Sequence, residues 1–181
     1  MAKSIARTVP QRRKREGRTN YRKRLALLKS RKPRLVVRKS NKHVVVQLVQ
    51  YAPDGDVVIE ALNSKLLEKK GWKHSTKSIP ACYLTGLAFG SKALAKGVKE
   101  AVLDLGLHPP VKGSRIYAVL KGVVDAGLNV PCQENVFPAK DRLAGKHISE
   151  TVAADWEKMR AELAAQKKKT AKETAEGGED S

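Results

Sequence analysis

Two valine-rich runs in the first third of the chain form its clearest hydrophobic pattern. Leu35–Val37 and Val44–Val46 stand on either side of a polar, basic link, Arg38–His43. β-Branched runs of this length that flank a Ser-Asn turn signal are typical of two antiparallel strands. The valines can bury one face of the pair, so the sequence predicts a rigid hairpin whose link presents basic side chains to solvent.

Turn and strand signals after the hairpin extend it into a sheet. The segment Ala52–Asp56 contains a Pro that presets φ and a Gly that allows a positive φ, and Val57–Leu62 follows as a third strand. A fourth buried strand, Ala101–Leu105, lies between two helical patterns. We therefore predict an α/β fold in the order βββαβα. Its mixed sheet is an antiparallel three-strand meander plus one parallel strand that joins through a right-handed crossover.

Two apolar helices are predicted around the fourth strand. Ser78 can cap the first of them, and Gly127 can end the second as a left-handed residue. In the first helix Cys82, Gly86 and Gly90 recur every four residues. Because Gly in a helix costs roughly 1 kcal/mol relative to Ala, we expect these small residues to form a groove that lets the sheet approach closely.

A basic extension, residues 1–32, precedes the strands. Its first half has almost no apolar side chains, so we expect that half to become ordered only against a polyanion. A short helix follows, with Thr19 or Asn20 as its cap. The apolar face of this helix is predicted to consist of Tyr21, Leu25 and Leu28.

The globular domain is predicted to span residues 33–130, and two further segments follow it. Residues 131–148 have little periodicity and are interpreted as an arm that lies on another surface. From Glu150 to about Lys169 the pattern favours a polar helix. The remainder of residues 149–181 is predicted to be an acidic, disordered tail.

Positive charge is concentrated at the N-terminal end of the chain. The formal net charge is +19, and residues 1–43 hold 17 Lys and Arg against one acid, whereas residues 146–181 hold 7 bases and 8 acids. Such a field repels itself and is most simply balanced by a polyanion. The predicted partner therefore binds mainly to the first quarter of the chain.

Other features of the composition exclude several classes of protein. Cys82 and Cys132 are too few and too isolated for a disulfide framework or a metal site, and no cofactor is predicted. No apolar run reaches membrane-spanning length, and the N-terminus lacks the apolar stretch of a secretory signal. We expect a cytoplasmic protein with no membrane partner and no small-molecule substrate.

Long stretches of the chain resemble a known family. PRLVVRKSNKHVVVQ (residues 33–47) and KGVVDAGLNVP (residues 121–131) are the most specific, and similar stretches run in order through residues 9–148. They resemble the 5S-rRNA-binding proteins of the large ribosomal subunit, the universal large-subunit protein eighteen family in its archaeal-type form. The resemblance implies a ribonuclease-H-like topology. It also implies a structural component that binds 5S rRNA, helps attach it to large-subunit rRNA in the central protuberance, and has neighbouring ribosomal proteins as partners.

The same resemblance implies a set of RNA-facing residues in the extension and the hairpin. Asn41, His43 and Tyr21 can also donate, accept or stack at unpaired bases. Three side chains of the arm, Arg142, Lys146 and His147, are further candidates. The set implied by the family consists of Arg12, Arg13, Lys14, Arg15, Arg18, Tyr21, Arg22, Arg24, Arg38, Lys39, Asn41 and Lys42.

An enzyme and a general nucleic-acid binder are the alternative interpretations. A ribonuclease-H-type nuclease needs several carboxylates that converge on metal ions, one of them on the first strand. That strand carries Arg34 and no acid, while Asp56 lies in a turn and Asp104 and Asp125 are scattered in sequence. We therefore predict no catalytic residues and no metal site. A general binder would have similar affinities for duplex DNA and for 5S rRNA.

Overall fold

The computed structural model describes residues 9–176, which form four strands and seven α-helices. The strands are β1 (Arg34–Lys39), β2 (Val44–Gln50), β3 (Val57–Asn63) and β4 (Val102–Asp104). The helices are α1 (Arg12–Arg15), α2 (Tyr21–Leu28), α3 (Lys65–Lys69), α4 (Ile79–Ala95), α5 (Arg115–Ala126), α6 (Lys140–Ala144) and α7 (Glu150–Glu176). A single 3-10 turn, Glu134–Val136, precedes α6.

The sheet has the strand order β3-β2-β1-β4. β1 and β2 are antiparallel, β2 and β3 are antiparallel, and β4 pairs in parallel with β1. The predicted meander with one added parallel strand is therefore confirmed, and the arrangement is compatible with a ribonuclease-H-like topology.

The first hairpin is longer than the sequence suggested, and its link is shorter. Arg38 pairs with Val45 and Lys39 with Val44, so these two cations lie on β1 and not in the link. Ser40 closes the turn, because its N–H donates to the His43 carbonyl at 2.8 Å and its Oγ accepts the His43 N–H at 2.9 Å. These hydrogen bonds pair the polar groups of the turn within four residues. The strand pairing therefore continues up to the turn, at Lys39 and Val44.

One face of the sheet packs against the helices and forms the core. Leu35 and Val37 of β1 lie opposite Leu48 and Val46 of β2, and all four side chains are fully buried. Helix α4 packs against β2 and β3, and α5 packs against β1. Because α4 also contacts α5 and α7, every residue of Pro80–Gly90 is buried.

The small residues of α4 pack against α5 and not against the sheet, which corrects the expectation above. A Cβ added at Gly86 would lie 2.1 Å from the Val119 carbonyl oxygen, and one at Gly90 would lie 2.5 Å from the Cβ of Ala126. Gly122 of α5 fits in the same way, since an added Cβ would lie 2.2 Å from the backbone carbonyl oxygen of Tyr83. The glycine cost in each helix is offset by this close helix–helix contact.

Helix α2 is capped as predicted, but its inward face differs. The side chain of Asn20 accepts the Lys23 N–H at 3.1 Å, which confirms that cap. Leu25, expected on the apolar face, is 59% exposed. Arg24 turns inward in its place, because it pairs with Asp56 in the turn between β2 and β3.

The C-terminal segments belong to the packed core. In the predicted arm, Leu143 and Ala144 of α6 are buried against α4. Helix α7 is amphipathic and not polar all round, since four buried side chains recur on one face at helical spacing: Val152, Trp156, Met159 and Leu163.

Helix α7 also continues to Glu176, beyond the predicted end near Lys169. The extra residues are mostly Ala, Lys and Glu, which favour helices. No Gly or Pro interrupts the sequence between Glu150 and Gly177. Of the predicted disordered tail, only residues 177–181 lie outside the described part of the chain, as do residues 1–8 of the basic extension.

Candidate nucleic-acid interface

A small cavity lies where the segment containing α1 and α2 meets β1 and the loop after β4. We call it the basic cavity. Its volume is about 80 Å³, and six of its lining side chains are cations. The cations are Arg13, Arg18, Lys23, Arg24, Arg34 and Arg38, and the remaining lining residues are Thr19, Asn20, Asp104, Gly106 and Leu107.

Arg34 is the buried member of this set and is only 4% exposed. Its Nη2 lies 2.6 Å from Oδ2 of Asp56, and its Nη1 lies 2.7 Å from Oδ2 of Asp104. Its Nε has no acceptor among the described residues. A buried guanidinium needs such partners, because an unpaired buried charge is strongly unfavourable.

Sequence reasoning missed this role of Arg34 and wrongly treated the two carboxylates as unrelated. Asp56 and Asp104 converge on one guanidinium although they lie in a turn and on a different strand. Only the pairing of β4 with β1 brings Asp104 there, and no local sequence signal marks that partnership. Both carboxylates are neutralised by arginine, and the described residues contain no group of three or more side chains that could hold a metal ion.

Other cations of the basic cavity are held in place to different degrees. Arg24 lies 2.9 Å from Asp56, Arg18 lies 3.2 Å from Glu16, and Nε of Arg13 donates to Thr19 at 2.9 Å. Lys23 and Arg38 are exposed and form no ion pair with any described residue. These two side chains are therefore the most available to an added anion.

A second, more open depression of about 560 Å³ lies beside the tip of the hairpin. We call it the tip groove. It brings Asn41 of the link together with His147 of the C-terminal segment, both predicted contact residues. Its other lining residues are Ser75, Lys77, Ser78, Ile79, Arg115 and Ile148.

Two cations of the tip groove, Lys77 and Arg115, were not predicted as contacts. Arg115 begins α5, and its Nη1 donates to the Ser40 carbonyl at 3.4 Å, which ties that helix to the hairpin link. Lys77 is exposed just before α4. Neither residue belongs to a run of basic residues, so charge patterning gives no signal for them.

His43 is held by the protein at the base of the link. Its Nδ1 lies 3.1 Å from the hydroxyl of Thr76, and that hydroxyl donates to the Lys42 carbonyl at 3.1 Å. Because a hydroxyl has a single proton, Nδ1 of His43 must be the donor to Thr76. The half-buried ring is therefore fixed in orientation and contributes to the shape of the hairpin end.

The surface between the basic cavity and the tip groove has a positive potential. The pKa of His108, in the loop after β4, is lowered first by partial burial and then by Lys39, Arg115 and Arg38. Arg38 and Lys39 come from β1 and Arg115 from α5. Because Arg38 lines the basic cavity and Arg115 lines the tip groove, these three residues form a cationic strip that connects the two sites.

The remaining predicted contact residues are distributed unevenly. Five of them are exposed on α1, α2 and the link, namely Arg12, Lys14, Arg15, Arg22 and Lys42, and Tyr21 is half-buried. Arg142 is exposed on α6 and lines neither site. Lys146 lies 3.3 Å from Asp141 and lines a separate depression between α6 and α7.

A mixed α/β sheet that carries such a cationic surface is typical of nucleic-acid-binding proteins. Residues 7–100 match the family described as ribosomal large subunit proteins 60S L5, and 50S L18. A protein of Korarchaeum cryptofilum named large ribosomal subunit protein uL18 is 52% identical over 149 residues, which cover 82% of this chain and 76% of that protein. The chain belongs to this family of large-subunit ribosomal proteins, which are structural components and not enzymes. Within residues 9–176, no helix is both long enough and apolar enough to cross a membrane.

Proposed function

We propose that this protein binds 5S rRNA and helps attach it to large-subunit rRNA in the central protuberance of cytoplasmic ribosomes. The observation that supports this most is the cationic strip, which joins the basic cavity, β1 and the tip groove on one surface. The resemblance of the N-terminal extension and hairpin to the 5S-rRNA-binding family supports the choice of RNA. Neighbouring large-subunit proteins and large-subunit rRNA are the further proposed partners, and no catalytic activity is assigned.

Phosphate neutralisation supplies most of the proposed affinity. Each Lys or Arg that binds a phosphate releases condensed counterions, so affinity falls steeply with salt. The proposed contacts are the candidate RNA-facing residues of the extension and hairpin, together with His147 of the tip groove. Arg142 and Lys146 are proposed to bind large-subunit rRNA, because they lie away from the strip.

Specificity is proposed to come from shape and from unpaired bases. The deep, narrow major groove of an RNA helix hides its base edges from side chains. Asn41 is exposed at the end of a hairpin fixed by the Ser40 bonds, so it can reach an unpaired base with little loss of freedom. Tyr21, at the start of α2, is half-buried and is proposed to contact the RNA along its exposed side.

A combined charge-neutralised variant tests this function. In it Arg12, Arg13, Lys14, Arg15, Arg38, Lys39 and Lys42 are replaced by Gln. We expect 5S rRNA binding, measured by filter titration, to weaken to the non-specific range of roughly 10⁻⁴–10⁻⁶ M. The slope of log affinity against log salt should fall by about one for each lost phosphate contact.

A matched control removes seven exposed lysines that line neither site. Its net charge is therefore the same as that of the charge-neutralised variant. The control replaces Lys65, Lys69, Lys73, Lys99, Lys112, Lys140 and Lys158 by Gln. It should retain most of the affinity, and circular dichroism should show that both variants fold. Equal loss in the two variants would contradict a localised interface. Equal wild-type affinity for duplex DNA at matched salt would favour the general nucleic-acid binder.

A further inference from the structure

We propose that the basic cavity is a binding site for a single phosphate group, presented by the RNA. The RNA part of this inference rests on the proposed function, whereas phosphate binding itself depends only on the cavity. The site would take one phosphate out of the many on the RNA, so it would fix the position of the RNA backbone against α2 and β1.

The size of the cavity fits a phosphate better than a water molecule. A buried water needs roughly 10–15 Å³ of such volume, whereas the basic cavity offers about 80 Å³. It therefore has room for a tetrahedral oxyanion.

Its charge fits a phosphate as well. Six cations line the cavity, and the carboxylates that pair with them are Glu16, Asp56 and Asp104, which leaves an excess of three positive charges. Five of the six cations are arginines, whose planar forks of N–H donors match phosphate oxygens. Lys23 and Arg38, which have no carboxylate partner among the described residues, can turn toward the anion without breaking an ion pair.

Arg34 provides one fixed wall of the cavity. It lines the cavity and is 96% buried. Asp56 and Asp104 bind its two terminal nitrogens, so the guanidinium is held rigidly at the site.

Two sources of the phosphate are chemically possible. A backbone diester is shared between neighbouring nucleotides, whereas the 5′ end of an RNA carries a monoester with more charge and three free oxygens. The excess of positive charge suits either, so the experiment compares 5S rRNA with and without its 5′-phosphate.

The first measurement titrates inorganic phosphate into the full-length protein at constant ionic strength with chloride. We expect saturable binding of one phosphate per chain, seen as broadening of the ³¹P resonance or as heat in calorimetry. The double variant Lys23→Gln/Arg38→Gln should bind phosphate at least tenfold more weakly. The control Lys29→Gln/Lys65→Gln changes the charge equally, at exposed residues that do not line the cavity, and should bind as the wild type does.

The outcomes separate this inference from the proposed function. Non-saturable phosphate binding, or equal loss in the two double variants, overturns the phosphate site even if 5S rRNA still binds. Saturable phosphate binding by a protein that does not prefer 5S rRNA to duplex DNA keeps the site and removes the proposed function. If removal of the 5′-phosphate weakens 5S rRNA binding in the wild type but not in Lys23→Gln/Arg38→Gln, the ligand is the terminal monoester. If removal has no effect in either, and the double variant still binds 5S rRNA more weakly than the control, the ligand is a backbone diester.

Discussion

Arg34 is a cation that organises other cations without itself being exposed. It holds Asp56 with one nitrogen and Asp104 with another, and Asp56 in turn holds Arg24. Each of these carboxylates would otherwise place an unpaired negative charge beside the cationic strip. Because arginine partners neutralise them, the cationic strip keeps its sign.

The two cysteines provide a prediction at the residue scale. Burial raises the pKa of Cys82 to about 12 from its ordinary value of 9.0, whereas Cys132 is exposed and its pKa is raised less. The thiolate is the reactive form. In the native protein at pH 8, iodoacetamide should therefore alkylate Cys132 and spare Cys82, as mass spectrometry of the labelled peptides would show.

The same thiol predicts a pH effect with a defined sign. Above pH 9 Cys82 ionises in the unfolded chain but not in the folded one, so the free energy of unfolding should fall as pH rises from about 9 toward 12. The slope from one such group is at most about 1.4 kcal/mol per pH unit. Cys82→Ala removes this contribution, and identical slopes for variant and wild type would show that the thiol titrates alike in both states.

At the residue scale, sequence reasoning found what local chemistry determines. Asn20 and Gly127 cap their helices as predicted, because each bond is made within a few residues of the chain. The partners of Arg34 lie 22 and 70 residues away, and only tertiary pairing brings them together.

At the scale of elements, an ion pair ties α2 to the β2–β3 turn. Leu25 faces solvent and Tyr21, Leu27 and Leu28 are half-buried, while Arg24 reaches Asp56 in that turn. A helical stripe read from apolar spacing cannot foresee this, since the inward position is occupied by an arginine with a distant partner. The position of α2, and with it of Lys23 and Asn20 in the basic cavity, therefore depends on Asp56.

Asp56→Ala tests this attachment. The variant leaves Arg24 without its carboxylate and Arg34 with Asp104 alone, so we expect a loss of about 1–3 kcal/mol in the free energy of unfolding. Asp54→Ala, in the same turn, is the matched control. Asp54 is exposed, so its replacement should change stability by less than about 0.5 kcal/mol. Urea unfolding measures both, and equal stabilities would show that the ion pairs contribute nothing to the attachment of α2.

Helix α7 shows a second limit of sequence reasoning at this scale. Its charged residues suggest a solvated helix, yet Trp156 is buried against Tyr83, with ring centroids 5.4 Å apart. Four apolar positions among many polar ones are enough to bury one face. The packed part of the chain thus extends well past residue 130, where the sequence predicts the globular domain to end.

At the scale of the whole molecule, topology determines the interface. The hairpin, the meander and a parallel fourth strand could be predicted, because their periodicities and turn signals are strong, but the pairing of that strand with β1 could not. The shape of the surface could not, since it depends on how the loop after β4 and the start of α5 meet the hairpin. Lys77, His108 and Arg115 join the strip only through that assembly.

His108 reports the potential of the assembled strip and supplies a last prediction. Partial burial is the largest cause of its lowered pKa, and the positive charges of Lys39, Arg115 and Arg38 add to it. Salt screens the charges but leaves the burial unchanged. The pKa of His108 in the free protein should therefore rise as sodium chloride is added, and it should rise when RNA phosphates bind beside it. NMR titration of the His108 ring signals at several salt concentrations, with and without RNA, measures both changes. A pKa of His108 that responds to neither salt nor RNA would mean that burial alone lowers it, and that RNA binds elsewhere on the protein.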